Sequence, residues 1–190
     1  MLASFSARLQ RWATSRNVLL FLVLFLLFEV VILPIAGTKL MSYSGGLGPL
    51  DLTLGLSPAE TYARLTAFTA DGRLTYLLIE LTVDVVFPLV YGLFFSLAIG
   101  LVYQRSFAPA SAMQRFIAVP FLATLCDYLE NVGIVLMLLF YPQELGAVAL
   151  LVRPLTLLKW LFTILSAVLL LVGLGALLAR RRVAPPPSGG

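Results

Sequence analysis

Three observations predict an all-α fold: a polytopic membrane protein, a four-transmembrane-helix bundle with a short extramembrane amphipathic helix. The 190-residue chain is 61% hydrophobic and only 12% charged, where soluble domains carry about 25% charged residues. Its mean hydropathy is +1.01. Its apolar residues gather into four runs, each near or above the length of about 20 residues that crosses a bilayer.

In chain order, residues 1–16 form a basic amphipathic lead with Arg8, Arg11, Trp12 and Arg16. The membrane domain covers 17–180, with spans expected at 18–36, 74–103, 115–141 and 154–179. The first span contains Glu29 and is expected to bend or end near Pro34. A signal peptide is disfavoured, because Pro34-Ile35-Ala36-Gly37 makes a poor small-x-small cleavage site. Glycines punctuate 37–57 as a loop.

Ser57-Pro58-Ala59-Glu60 is a capping box with proline at the first helical position. It predicts a short helix over 57–69 with Tyr62, Leu65 and Phe68 or Thr69 on one face, ended by Asp71-Gly72. Such a helix is too short to span, and either lies on the membrane surface or covers the bundle as a lid. Pro88 lies inside the second span and removes the N–H that would bond the Asp84 carbonyl. Pro120 is expected to kink the third span, and Pro154 to open the fourth. Arg180-Arg181-Arg182 should stop the last helix, leaving 181–190 as a disordered Pro/Gly-rich tail.

Basic residues orient membrane proteins. The N-terminal lead, the 104–115 turn and the C-terminal end hold three, two and three, against five on the other side. The bias places both termini in the cytoplasm and the 37–72 segment outside, in a multi-pass protein of the cell membrane.

Composition also excludes chemistry. The chain has no histidine and one cysteine, Cys126. Neither haem nor a zinc centre is therefore expected, and no Ser-His or Cys-His pair can form. No basic patch interleaved with exposed aromatics suggests nucleic acid, so the expected partner is the lipid bilayer.

What the spans do contain is acid. Glu80 and Asp84 share one helix face, and Asp127, Glu130 and Asn131 share another. Thr156, Lys159, Thr163 and Ser166 form a polar stripe on the fourth span. At about 1.5 Å per residue, Glu80 and Asp84 lie roughly 9 and 15 Å from the outer end, Glu130 and Asp127 roughly 16 and 21 Å, and Glu29 and Lys159 roughly 10 and 8 Å. A water-filled pocket open to the outside would join them. Five intramembrane acids face one base, Lys159. Crowded carboxylates in low dielectric cannot all stay ionised, so they share protons or hold a cation. Ca²⁺ or Mg²⁺ on Asp84, Asp127 and Glu130 would suit an all-oxygen site. The alternative is that buried acids act as interhelical glue to tyrosines, threonines and backbone groups.

The stretches Asp84-Val85-Val86-Phe87-Pro88-Leu89-Val90-Tyr91-Gly92 and Asp127-Tyr128-Leu129-Glu130-Asn131 resemble small uncharacterised bacterial four-helix integral membrane proteins. The resemblance covers roughly 17–180 and implies a bacterial inner-membrane location without supplying an activity. The layout is also loosely similar to sterol isomerase and sigma-2-receptor-type membrane domains, in which intramembrane acids hold a lipophilic cation or carbocation.

The function expected first is binding or transport of a cation, proton or amphiphilic small ligand at Glu80, Asp84, Asp127, Glu130, Asn131 and Lys159, with Glu29 as a further candidate. The alternatives are a lipid-modifying enzyme with Asp127 or Glu130 as acid/base, and a structural or accessory subunit whose acids pair with a partner helix.

Overall fold

The computed structural model describes residues 2–109 and 111–183. These form six α-helices: α1 Leu2–Trp12, α2 Ser15–Met41, α3 Pro58–Ala67, α4 Ala70–Ser106, α5 Pro120–Phe140 and α6 Gly146–Val183. Short 3₁₀ turns occupy Leu50–Leu52 and Ala112–Ala118. The protein is an all-α bundle, and four of its helical segments are long and apolar enough to cross a membrane. More than half of the most apolar stretch of α4 and of the Ala112–Phe140 segment is buried, against 6% for α2 and 17% for α6. The two middle spans therefore form the centre, while α2 and α6 present most of their surface outward.

The 42–69 connection closes one end of the bundle, called here the loop end. The two termini and the 107–119 connection lie at the other, the terminal end. At the loop end, Ser57 and Glu60 form the expected capping box. The Ser57 hydroxyl and amide both donate to Glu60 Oε2, and the Glu60 amide returns to Ser57 Oγ. These bonds, the hydroxyl first and the amide second, hold the Glu60 carboxyl below its usual range. The helix they start is a lid. Tyr62, Leu65 and Phe68 are buried with Leu40, Leu50 and Tyr76 against Ile134, Met137 and Val152. Arg73 fastens the lid by donating to the Phe68 and Leu65 carbonyls while stacking over Tyr141, 4.0 Å from the ring centroid.

Several boundaries differ from those read in the sequence. The first span does not end near Pro34. A π-turn over Phe28–Ile32, in which the Leu33 amide reaches back to Phe28, carries the helix past the proline to Met41. Asp71-Gly72 lies in the first turn of α4, whose cap is Thr69 accepting from the Gly72 amide at 3.1 Å. A 3₁₀ turn precedes α5, so Pro120 sits at an α-helix start rather than at an internal kink. The last span, α6, starts at Gly146, leaving Pro154 internal. Arg180–Arg182 do not stop it, since helix continues to Val183. The rest of the proline-rich tail lies outside the described residues.

The register of α6 decides the level of the polar centre. Asp127 lies thirteen residues before the end of α5, and Lys159 thirteen after the start of α6. Each is about 20 Å from their shared turn at 1.5 Å per residue. The earlier start of α6 thus places Lys159 level with Asp127, about 12 Å deeper than a helix beginning at Pro154 would. Close packing of the pair depends on Gly133, where a Cβ would collide with Val152.

Candidate functional site

Lys159 is the hub. Its ammonium lies 2.6 Å from Glu130 Oε2 and 3.5 Å from both Asp127 Oδ1 and Asp51 Oδ2. Glu130 and Asp127 come from one face of α5, Lys159 from α6, and Asp51 from the 3₁₀ turn of the loop. Glu130 is fully buried. Its Oε1 accepts from the Thr156 hydroxyl at 2.5 Å, and its Oε2 is satisfied by the lysine charge rather than by an aligned hydrogen bond. Asp127 Oδ2 accepts from Tyr91 of α4 at 3.0 Å. These contacts make one connected chain, Thr156–Glu130–Lys159–Asp127–Tyr91, linking α6, α5 and α4.

Asp51 was not foreseen as a site residue. It stands in a loop whose sequence, Leu50-Asp51-Leu52-Thr53-Leu54, alternates apolar and polar residues. That unusual apolarity is the signal that the loop packs back onto the bundle. Consecutive residues of α6 hold it twice: Lys159 on its carboxylate and Trp160 Nε1 on its carbonyl, the latter at 3.3 Å. Tyr76 fixes the same turn by accepting from the Leu50 amide at 2.8 Å.

Glu80 is 2% exposed, and its charged neighbours are Asp51, Asp84, Glu130 and Lys159. Its Oε2 has no hydrogen-bond partner among the described residues, which is costly in a dry interior. Asp84 is half-buried beside the same group. Among the described residues its carboxylate takes part in no ion pair.

Asn131 belongs to a different device. Carbonyls on either side of the proline kink in α4, including the Asp84 carbonyl that Pro88 leaves without its helical N–H, are met by a row of donors on α5. Thr124 Oγ1 donates to the Pro88 carbonyl at 2.9 Å, the Tyr128 hydroxyl to Val85 at 2.7 Å, and Asn131 Nδ2 to Asp84 at 3.1 Å. Helix spacing aligns Thr124, Tyr128 and Asn131 on one edge of α5. Gly92 lets this edge come close, because a Cβ there would overlap the Thr124 hydroxyl. For Asn131 the structure therefore supplies the glue described above.

Other expected members separate. Glu29 is exposed on α2, and among the described residues no hydrogen bond or ion pair ties it to the cluster. Its helical neighbours at three and four residues, Phe25, Leu26, Ile32 and Leu33, are all apolar. Thr163 and Ser166 donate to carbonyls of their own helix, Lys159 and Phe162. Of the α6 stripe, only Thr156 and Lys159 contact the acids among the described residues.

Of two cavities among the described residues, neither is an open pocket lined by the clustered acids. A cleft of about 10 Å³ lies between Thr53 and Gly55 of the loop and Arg153 and Thr156 of α6, a volume near that of a single water. A hollow of about 580 Å³ lies on the outer face of α2, lined by Val30, Pro34, Thr38 and Lys39 among others. None of the clustered acids lines it. Among the described residues, no three acidic or cysteine side chains form a group able to hold a metal ion. Of the three acids expected to hold Ca²⁺ or Mg²⁺, Asp127 and Glu130 contact the Lys159 ammonium, while Asp84 does not. Comparison with protein-family models, with curated proteins and with solved structures finds no match.

Proposed function

We propose that this membrane protein exchanges protons at the Lys159 cluster, taking them up from and releasing them to the loop end of the bundle. The observation that carries the reading is the connected chain from Thr156 through Glu130, Lys159 and Asp127 to Tyr91, with contacts of 2.5, 2.6, 3.5 and 3.0 Å. Thr156 lines the one-water cleft, so the chain begins where a water can stand. It ends at Tyr91, buried in α4 with its ring against Phe87 at 5.3 Å. A relay that starts at one surface and stops inside is suited to sensing pH or gating a coupled step, rather than to steady conduction.

Charge balance supports the same reading. Asp51, Glu80, Asp84, Asp127 and Glu130 surround a single lysine, and such a set does not hold all its charges in low dielectric. Glu80, buried beside the relay with an oxygen that has no partner among the described residues, is the place for a mobile proton. The test is a pH step on reconstituted protein, followed by infrared difference spectroscopy in the carboxylic C=O region. Carboxyl bands are expected to rise and fall reversibly, with one lost in Glu80→Gln and another altered in Glu130→Gln. A wild-type protein showing no carboxyl band change between acid and alkaline pH would overturn the reading.

A further inference from the structure

The nine acids of the chain all lie between Glu29 and Glu144, and none occurs in 1–28, 85–126 or 145–190. In the fold those acid-free segments supply the terminal end of all four spans, the connection between α4 and α5, and α1. The same end carries exposed Arg8, Arg11, Arg16, Arg105, Arg115 and Arg180, and the sequence adds Arg181 and Arg182. None of the six exposed arginines is in an ion pair among the described residues. The basic residues here are arginine throughout, while both lysines, Lys39 and Lys159, lie elsewhere.

Helix α1 makes this end a built surface rather than a loose basic tail. Thr14 is extended, with φ −103° and ψ 155°, and breaks the chain between α1 and α2. Leu9 and Ala13 are buried. Phe5 packs edge-on against Phe121 with centroids 5.1 Å apart. Gln104 Nε2 donates to the Gln10 carbonyl at 2.6 Å, and Gln10 Nε2 to Gln114 Oε1 at 3.2 Å. Arg8, Arg11 and Trp12 of the same helix are exposed, Trp12 by 60%. An interfacial aromatic beside unpaired guanidinium groups is the arrangement that takes lipid headgroups.

We propose that this terminal end binds the phosphate headgroups of anionic phospholipids, with α1 and the 3₁₀ turn at Arg115 as the binding surface. A topology signal needs basic residues in excess. It does not need arginine to the exclusion of lysine, nor a folded helix pinned to the bundle end. Guanidinium groups hold phosphate oxygens in a bidentate fork that an ammonium cannot match. The absence of acids leaves nothing to compete with the headgroup for them.

The test measures thermal unfolding of the detergent-purified full chain with a short-chain phosphatidylglycerol, with the matching phosphatidylcholine, and with inorganic phosphate. Native mass spectrometry counts the lipids retained. Phosphatidylglycerol is expected to raise the melting temperature and to be retained, with an effect that shrinks as salt is added. The triple variant Arg8→Gln/Arg11→Gln/Arg115→Gln should weaken that preference by roughly fivefold per arginine removed. Equal effects of the two lipids on the wild-type protein would overturn the proposal, as would a folded triple variant that keeps the full preference. An equal shift with inorganic phosphate would also overturn it, by making free phosphate the ligand. The salt dependence is read on the wild-type protein, so the proposal stays testable if the variant does not fold.

Discussion

The side-chain amide of Asn131 donates to the main-chain carbonyl of Asp84 at 3.1 Å, the carbonyl that Pro88 leaves without its helical N–H. A residue that reads as part of an acidic site is thus occupied in completing the backbone of the neighbouring helix. In a membrane an unmet carbonyl has no water to turn to, which explains why an amide stands opposite a proline kink.

Asn131→Ala should therefore destabilise the bundle by about 1 kcal/mol, the scale of an interhelical hydrogen bond in lipid. Pro88→Ala restores an N–H for the Asp84 carbonyl. In the Pro88→Ala background the Asn131→Ala change should cost distinctly less. A double-mutant cycle by unfolding in mixed micelles measures the coupling. Strict additivity would mean that the amide and the kink are independent.

Lys159→Met removes the one base among Asp51, Asp127 and Glu130. Breaking a buried ion pair from one side costs about 3–5 kcal/mol, because the partner charge is stranded. Lys159→Met combined with Glu130→Leu should recover part of that loss, since the most buried of the carboxylates goes with it. Equilibrium unfolding of the single and double variants checks the order. A single variant as stable as wild type would show that the lysine charge is not needed to balance these acids.

Gly133 and Gly175 are both helical, yet they should respond differently to a methyl group. A Cβ at Gly133 meets Val152 across the α5–α6 contact, whereas one at Gly175 meets nothing within 4 Å. Gly133→Ala should cost about 1–3 kcal/mol by overpacking, and Val152→Ala in the same chain should relieve it. Gly175→Ala should be neutral or stabilise by about 0.5–1 kcal/mol through backbone entropy. Melting temperatures of the three variants, measured in one detergent, decide this.

How much of this was legible in the sequence follows from whether each signal is local. The capping box at Ser57, the four spans and the shared face of Asp127 and Glu130 depend on neighbours within a turn or on composition, and the structure contains them. The proline at 88 pointed correctly to the Asp84 carbonyl, but nothing local says which side chain meets it. Asp51 reaches Lys159 from a loop more than a hundred residues earlier in the chain, so spacing could not find it. Pro154 misled because proline suits a first turn, whereas α6 carries it inside, after two turns of apolar helix from Gly146. Glu29 was separable in principle, since an acid with only apolar neighbours at helical spacing has no polar face of its own to join.

The lid offers a pH dependence whose sign can be worked out. Hydrogen bonds from the Ser57 hydroxyl and amide lower the Glu60 carboxyl pKa from its usual 4.5. A group whose folded pKa is depressed contributes stability that is present above the unfolded value and disappears as pH falls through the folded one. The start of α3 should thus be fully capped at neutral pH and loosen only below about pH 4.5. Above that range, the protection factors of the Thr61 and Tyr62 amides should not change with pH. On acidification the two amides should lose protection in the wild-type protein. Glu60→Gln keeps an acceptor for Ser57 but cannot titrate, so its lid should begin with weaker protection and show no acid-dependent loss. Hydrogen exchange followed by mass spectrometry over the 57–69 segment separates this local effect from the Lys159 cluster, because Glu80→Gln should leave the acid response of the lid unchanged. Equal acid loss in wild type and Glu60→Gln would show that the lid opens through another group.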